Sequence, residues 1–141
     1  MPSRRRSTAA HPTSGCTRST SHGRSKSRAS ESCPVSGHHS ERFEVTGYRI
    51  GRMAYLTDFK TIADAEVGKL IGVELLVVNA LRFRPHPSHF NVEEALALIA
   101  RVAPRRALIT HVSHEIGRHA ATTALLPRGV ELAYDGLEII I

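Results

Sequence analysis

The stretch ELLVVN at residues 74–79 is a continuous apolar run, which is typical of a β-strand covered on both faces. A second such run, RALIT, occupies residues 106–110. Between the two runs, Asn91 and Glu94 form a capping-box pattern that predicts the start of a helix, and Pro104 predicts its end. A strand, a helix and a strand in this order predict an α/β layered fold.

Further elements are predicted on both sides of this unit. Turn residues, helix start and stop signals and short apolar runs predict three shorter pieces upstream and three downstream. They are strands at 48–50 and 53–57, a helix at 61–70, a helix at 118–126, and strands at 130–133 and 137–141 around the turn at 134–136.

The excess of basic charge is confined to one part of the chain. The 141 residues suffice for one ordinary domain, and 41 % of them are hydrophobic. The formal net charge is +6, but residues 1–33 hold seven basic residues and one acidic residue, whereas residues 34–141 hold twelve of each. The basic excess, which taken alone suggests an acidic partner such as nucleic acid, therefore belongs to the first quarter of the chain.

Residues 1–33 are predicted to be a disordered basic tail. They contain thirteen Ser or Thr and no Val, Leu, Ile, Phe or Tyr, so they bury too little apolar surface to offset the entropy of ordering. Several origins are compatible with this composition: a solvated tail, a nucleic-acid-binding arm, a transit-like presequence, or a mis-framed segment that does not belong to the fold. Residues 34–141 are predicted to be the folded part.

The sequence predicts a cytoplasmic protein without a membrane partner. No apolar run approaches the roughly 20 residues that a transmembrane helix needs, and the basic N-terminus lacks the apolar core of a secretory signal. Cys16 and Cys33 form neither a CxxC pair nor a disulfide framework, so reduced thiols are expected.

Acidic and histidine residues follow three of the predicted strands. Asp58 follows the strand at 53–57, His86 and His89 lie in the loop after 74–79, and His111 and His114 follow 106–110. Ligand and catalytic groups of α/β folds sit beyond the carboxyl ends of strands. Imidazole and carboxylate together form a ligand set for zinc, manganese or iron.

Four segments carry a resemblance to a known family. YLTDFKTI, HPSHFNVEEALALI, ALITHVSHE and YDGLEI resemble the C-terminal half of a metallo-β-lactamase-fold hydrolase. The likeness is greatest to phosphoribosyl 1,2-cyclic phosphate phosphodiesterases and their relatives, with ribonuclease Z more distant. The resemblance implies half of an αββα sandwich and a centre for two divalent metal ions, manganese or zinc.

The same resemblance implies roles for individual residues. Asp58 would bridge the two metal ions, and His111 would be a histidine ligand of the second. In the piece PVSGHHS, His39 matches the family's middle histidine ligand, with His38 as the alternative. His89 would be the non-ligand histidine that donates a proton to the leaving oxygen.

Other polar residues near the predicted centre have less defined roles. The resemblance places His114 beside the ligands or on the substrate side. Arg82 and Arg84 are suited to phosphate by charge-assisted hydrogen bonds, but a solvated loop is the favoured interpretation for them. His86 and His119 have no counterpart in the family and are interpreted as surface residues.

The family's signature His-x-His-x-Asp-His is absent from this sequence. Residues 34–141 are therefore interpreted as a partial domain with an incomplete metal site, and whether the chain is itself an enzyme is left open. We expect little or no hydrolase activity from it alone. A half-sandwich also leaves one apolar sheet face without its partner sheet, which predicts self-association or coverage by another chain.

Two functions remain in competition. The resemblance implies a hydrolase fragment acting on a small phosphorylated substrate, specifically a phosphodiester. The alternative is a non-catalytic nucleic-acid-binding protein that acts through the basic tail, which would bind in a salt-dependent manner without metal. We favour the first and expect no nucleic-acid partner, because residues 34–141 carry no net charge.

Overall fold

The computed structural model describes residues 32–140, through which a six-stranded mixed sheet runs in chain order. The first three strands pair antiparallel, and the third to sixth strands are parallel to one another. The strands are β1 (Ser32–Ser40), β2 (Phe43–Ile50), β3 (Met53–Leu56), β4 (Leu75–Asn79), β5 (Arg106–Thr110) and β6 (Val130–Leu132). The predicted α/β class is confirmed.

Helices connect the parallel strands. They are α1 (Asp64–Gly68), α2 (Val92–Val102) and α3 (His119–Thr123), with a 3₁₀ turn at His114–Ile116. The predicted capping box of α2 is present: the Asn91 side chain accepts from the Glu94 N–H, and the Glu94 carboxylate accepts from the Asn91 N–H, both at 2.8 Å. The helix ends at Ala103, which has a left-handed φ of 51° before Pro104.

The strand β1 is the largest feature that the sequence did not predict. Its pattern alternates buried and exposed positions, but the buried ones are Cys33, Val35 and Gly37, only one of which is a strong strand former. Helices α1 and α3 are also shorter than predicted, and β2 extends further upstream. The predicted strand at 137–141 is wrong for 137–140, because Leu137 and Ile139 pack their side chains on the sheet instead of pairing with a strand.

Most of the core lies between the sheet and the helices. Leu56, Leu76 and Val78 of the central strands face α2, which contributes Ala95 and Leu98. All five side chains are buried. The amphipathic α2 therefore covers the centre of the sheet and holds the parallel strands beneath the loops at their carboxyl ends.

The opposite face of the sheet is only partly covered. Leu75, Val77 and Leu108 are buried there under the C-terminal segment that carries Leu137 and Ile139. Further along the same face lie large side chains that are 41–50 % exposed: Tyr48, Ile50 and Tyr55. Self-association through this face stays a prediction.

The structure bears on the predicted state of the Cys33 thiol, on membrane-spanning helices and on the predicted tail. Cys33 is buried and disulfide-bonded, which corrects the expectation that this thiol is reduced. Within residues 32–140, no helix has both the length and the apolar character needed to cross a bilayer. The predicted disordered tail lies outside the described residues, apart from its last two positions, which begin β1.

Glu66 links α1 to the edge strand β1. Its carboxylate accepts hydrogen bonds from the Ser36 N–H and from the Lys69 ammonium, both at 2.7 Å. Burial raises the pKa of Glu66, but the bonds from Lys69 and Ser36 and the charge of Lys69 outweigh it, so the pKa lies below its ordinary 4.5. A carboxyl whose pKa is lowered by folding stabilises the protein above pH 4.5, and this contribution is lost as the pH falls through the folded pKa.

We therefore expect Glu66→Gln to lower the free energy of unfolding by about 1 kcal/mol at pH 7. The difference from the wild type should shrink as the pH falls below 4.5, the ordinary pKa of Glu66. Urea denaturation at several pH values measures it, with the exposed Glu138→Gln as the matched control. A difference independent of pH would contradict the assignment.

Candidate metal centre

The loops that follow β3, β4 and β5 meet at one edge of the sheet. Leu56 pairs with Val78, and Asn79 pairs with Thr110, so the carboxyl ends of the three parallel strands are level. Asp58 lies two residues beyond β3, and His111 lies directly after β5. The structure thus places Asp58 and His111 beyond the carboxyl ends of their strands, where the sequence positions them.

Asp58 and His111 both adopt a backbone conformation that is uncommon outside glycine. Their φ angles are 62° and 57°, in the left-handed region. Asp and His are enriched among the non-glycine residues found there, and such conformations concentrate at functional sites. The turns after β3 and β5 thereby direct both side chains toward the same point.

A buried amide holds the turn that carries Asp58. Asn79, the last residue of β4, has no exposed surface. Its Oδ1 accepts from the Phe59 N–H at 2.8 Å, and its Nδ2 donates to the Phe59 carbonyl oxygen at 2.9 Å. Because Phe59 follows Asp58 directly, these two bonds fix the position of the carboxylate relative to β4.

Two imidazole rings converge on one carboxylate oxygen. The Nε2 atoms of His89 and His111 lie 3.1 Å and 3.3 Å from Oδ1 of Asp58. The same two nitrogens are 3.1 Å apart, and the two rings are stacked with centroids at 4.8 Å. Two imidazole nitrogens and a carboxylate oxygen therefore point into a common space.

His39 completes this cluster from β1. Its Nδ1 lies 3.0 Å from the backbone carbonyl of Asp58, and its ring meets the His89 ring edge-on at 4.5 Å. A carbonyl oxygen can only accept, so Nδ1 of His39 is the donor of this bond. Histidine ligands of metals commonly donate their second N–H to a carbonyl in this way.

Among Asp58, His89 and His111, His89 has the least exposed side chain. Burial is the largest influence on its pKa and lowers it below the ordinary 6.5. The hydrogen bond to Asp58 opposes this effect, and the neighbouring His39 and His111 add to the lowering. The neutral ring is thus favoured, which is the form that has a lone pair.

The cluster suits a divalent cation by its donor set. One donor atom from each of His39, Asp58 and His89 lies within 4.8 Å of the others, and His111 Nε2 contacts two of these residues. Nitrogen and carboxylate donors together are the set preferred by zinc, manganese and iron.

Other candidates lie apart from the cluster. His38 lines a cavity of about 500 Å³ together with Ser40, Glu41, Lys60, Thr61 and Pro87. His114 is exposed on the 3₁₀ turn, and within residues 32–140 no hydrogen bond or ion pair joins its side chain to Asp58 or His111. His119 donates from Nε2 to the Leu132 carbonyl at 2.9 Å and so connects α3 to β6.

Arg82 and Arg84 are held by a carboxylate of the neighbouring turn. Both guanidinium groups form ion pairs with Glu115. Arg82 also donates to the Pro85 carbonyl at 3.1 Å. These bonds attach the loop that carries His89 to the turn after His111. Arg82 and Arg84 therefore hold these two loops together.

The sequence-based prediction missed three residues that shape the centre. Asn79 was predicted only as a strand end, although a polar residue that closes an apolar run is itself a signal. His86 was interpreted as a surface residue and Ser88 received no role, yet both contact the Nδ1 edge of His89. In the sequence, HPSH forms part of the resemblance, and its two histidines count only as loop residues beyond a strand end.

The family model described as "Beta-lactamase superfamily domain" matches residues 11–112, more than half of the chain. The chain belongs to this family. The matched range begins inside the segment 1–33, and the structure describes the chain from residue 32, so the interpretation of that segment stays a prediction.

Solved structures agree with this assignment. The described sheet resembles the crystal structure of "a New Diphosphatase from the PhnP Family", with a TM-score of 0.76 and 38 % identity. The match covers 79 % of this chain and 44 % of that one. Human tRNase Z, short form, matches with a TM-score of 0.60 at 18 % identity, covering 79 % and 43 % of the two chains. The metallo-β-lactamase fold protein YhfI from Bacillus subtilis matches with a TM-score of 0.58 at 17 %, covering 75 % and 47 %.

A curated relative shares sequence over part of its length. An octanoyltransferase of Porphyromonas gingivalis is 41 % identical over 101 residues, which are 71 % of this chain and 20 % of that protein. The chain thus spans about a fifth of this relative and less than half of the three solved structures. The family model and the solved structures together establish the metallo-β-lactamase fold.

Proposed function

We propose that this chain contributes part of the active centre of a metal-dependent hydrolase of phosphodiesters, of the cyclic phosphate phosphodiesterase type. The observation that carries the proposal is the convergence of His89 and His111 on Asp58, with His39 beside them, at the carboxyl edge of the sheet. The similarity to a diphosphatase at 38 % identity supports phosphorus–oxygen bonds as the target.

Asp58, His39 and His111 are the residues that would hold metal. Asp58 offers two carboxylate oxygens, of which only Oδ1 is engaged by histidine, so it is suited to two cations. The bound metal, manganese or zinc, would polarise the phosphoryl oxygens and activate water. A His-x-His-x-Asp-His motif supplies further ligands in the family and is absent from this sequence.

His89 is the proposed proton donor to the leaving oxygen. Its Nε2 faces Asp58 and His111 and therefore the space where substrate would be cleaved. Positioned proton transfer of this kind contributes about 10² to 10⁴ to a rate. A neighbouring role for His114 on the substrate side stays part of the proposal.

The whole activity requires the ligands that this sequence lacks, so a chimera provides the test. Residues 32–140 would replace the matching segment of the 38 % identical diphosphatase, which supplies the rest of the fold. We expect the chimera to hydrolyse bis-p-nitrophenyl phosphate with added manganese or zinc. The present chain assayed alone should show little or no turnover.

Two variants of the chimera separate the roles. Asp58→Asn should abolish both metal content and hydrolysis. His89→Gln should lower kcat by about 10² or more while metal content is retained. His119→Gln, outside the cluster, is the matched control. A metal-loaded chimera that does not cleave phosphodiesters, or hydrolysis unaffected by Asp58→Asn, would contradict the proposal.

A further inference from the structure

Three arginine side chains line one cavity at the amino edge of the parallel strands. They are Arg52, in the turn before β3, and Arg105 and Arg106, at the start of β5. The cavity has a volume of about 360 Å³, at the lower end of the range for small-molecule sites. It is separate from the candidate metal centre, because Asp58 and His111 lie beyond the carboxyl ends of the same strands.

Backbone hydrogen bonds hold the walls of this cavity together. The Arg52 carbonyl oxygen accepts from the N–H groups of Glu74 and Leu75, at 2.7 Å and 3.2 Å. The Glu74 carbonyl oxygen in turn accepts from the Arg106 N–H at 2.9 Å. The starts of β3, β4 and β5 are thereby joined in series, so the cavity is built on the sheet itself.

The ion pairs around the cavity leave one positive charge without a counter-charge. Arg52 pairs with Glu74 at 2.8 Å, and Arg106 donates to both carboxylate oxygens of Glu131 at 3.1 Å. Within residues 32–140, the side chain of Arg105 has neither a hydrogen bond nor an ion pair. A guanidinium group carries five N–H donors and no acceptor, so Arg105 is equipped to bind an anion.

Apolar side chains form the rest of the lining. Leu75 is buried on the sheet, and Ile139 packs against the cluster that contains it. Ile140 lines the same cavity but is fully exposed. An apolar group placed beside Ile140 would remove this side chain from water, which is favourable. The cavity thus offers an apolar surface next to an arginine that lacks an acidic partner.

We propose that this cavity is a binding site for a small organic carboxylate that carries an apolar group. The carboxylate pairs with Arg105, whose planar guanidinium matches two carboxylate oxygens. The apolar group lies against Leu75, Ile139 and Ile140. The single charge of a carboxylate matches the single uncompensated charge, whereas a phosphate monoester carries about −1.5 to −2 at pH 7. The proposal is independent of the hydrolase function, since no residue of the metal centre lines the cavity.

Amide NMR titration of the metal-free full chain with hexanoate tests the proposal. We expect saturable shifts of the amide signals of Glu74, Arg105 and Ile139, which surround the cavity. Acetate has the charge without the apolar chain and should bind at least about tenfold more weakly. The alcohol 1-hexanol has the chain without the charge and should be weaker by a similar factor. Inorganic phosphate should also bind more weakly than hexanoate.

Two arginine variants of the full chain make the outcome decisive. Arg105→Gln removes the charge and should weaken hexanoate binding at least about tenfold. Arg105 is exposed, so the fold should survive, and the remaining amide signals verify this. Arg118→Gln removes another exposed arginine that does not line the cavity and should leave the affinity unchanged.

Several results would overturn the proposal. They are hexanoate binding that Arg105→Gln leaves unchanged, equal affinities for acetate and hexanoate, tighter binding of phosphate, and the absence of saturable shifts at the cavity. Asp58→Asn should not alter hexanoate binding, because Asp58 lies at the opposite edge of the sheet. Failure of the phosphodiester assay would therefore leave this result standing.

Discussion

Replacing Asn79 by alanine is expected to lower the free energy of unfolding by about 3 kcal/mol, because the buried Phe59 N–H loses its acceptor. The Phe59 carbonyl keeps a second bond, from the Phe90 N–H at 2.8 Å, so the N–H is the group left unsatisfied. The truncated amide also leaves a small cavity beneath the turn. Urea denaturation measures the loss.

The same substitution should weaken metal binding, because Phe59 positions Asp58. Changes to residues that orient metal ligands typically cost about 10 to 100-fold in affinity. Asn91→Ala is the matched control: Asn91 is also buried, but it caps α2 away from Asp58. We expect that control to lose about 1 kcal/mol of stability and no metal affinity. An Asn79→Ala protein as stable as the Asn91 variant would contradict the assigned role.

The second large effect is expected at Gly37 in β1. A Cβ atom there would overlap the ring of Phe59 and approach the Thr61 carbonyl oxygen to 2.8 Å. Both neighbours are fixed, since Phe59 is fully buried and Thr61 bonds to His38 across the isolated bridge. Gly37→Ala is therefore expected to lower the free energy of unfolding by about 3 kcal/mol, at the upper end of overpacking costs.

Gly68→Ala provides the comparison within the same chain. No atom lies within 4 Å of a Cβ added at Gly68, which ends α1. Alanine there should stabilise by up to about 1 kcal/mol. Thermal unfolding of the two variants gives opposite shifts if the packing is as described. Equal, small shifts would show that β1 does not press against Phe59.

The sequence predicted the centre of this fold better than its edge. Strands β4 and β5 and helix α2 carry strong apolar patterns and a capping box, and all three lie close to their predicted bounds. Strand β1 was missed because its buried positions include Gly37, whose small size serves contact with Phe59 and gives no strand signal. The 137–140 segment has a strand-like pattern, but its apolar side chains cover the sheet instead.

The candidate site, like the fold, could be predicted from the sequence only in part. Asp58, His89 and His111 are predictable because strand ends in parallel sheets meet at one edge. Asn79 contacts Phe59, which is distant in the chain, and Ser88 contacts its neighbour His89. Asn and Ser are common in turns and at strand ends, so the residue types alone do not indicate these contacts. Only the folded structure shows that Asn79 reaches Phe59 and that Ser88 reaches His89.

The central claim is that Asp58 anchors a metal centre, and calorimetric titration of the full chain with zinc or manganese tests it most directly. Asp58→Asn is the suitable variant, because asparagine tolerates the left-handed φ of 62° and the fold should survive. We predict saturable binding by the wild type and at least about a 100-fold weaker affinity in the variant, since loss of a ligand should exceed the cost of changing a residue beside it. Equal affinities in the folded wild type and variant would contradict the account.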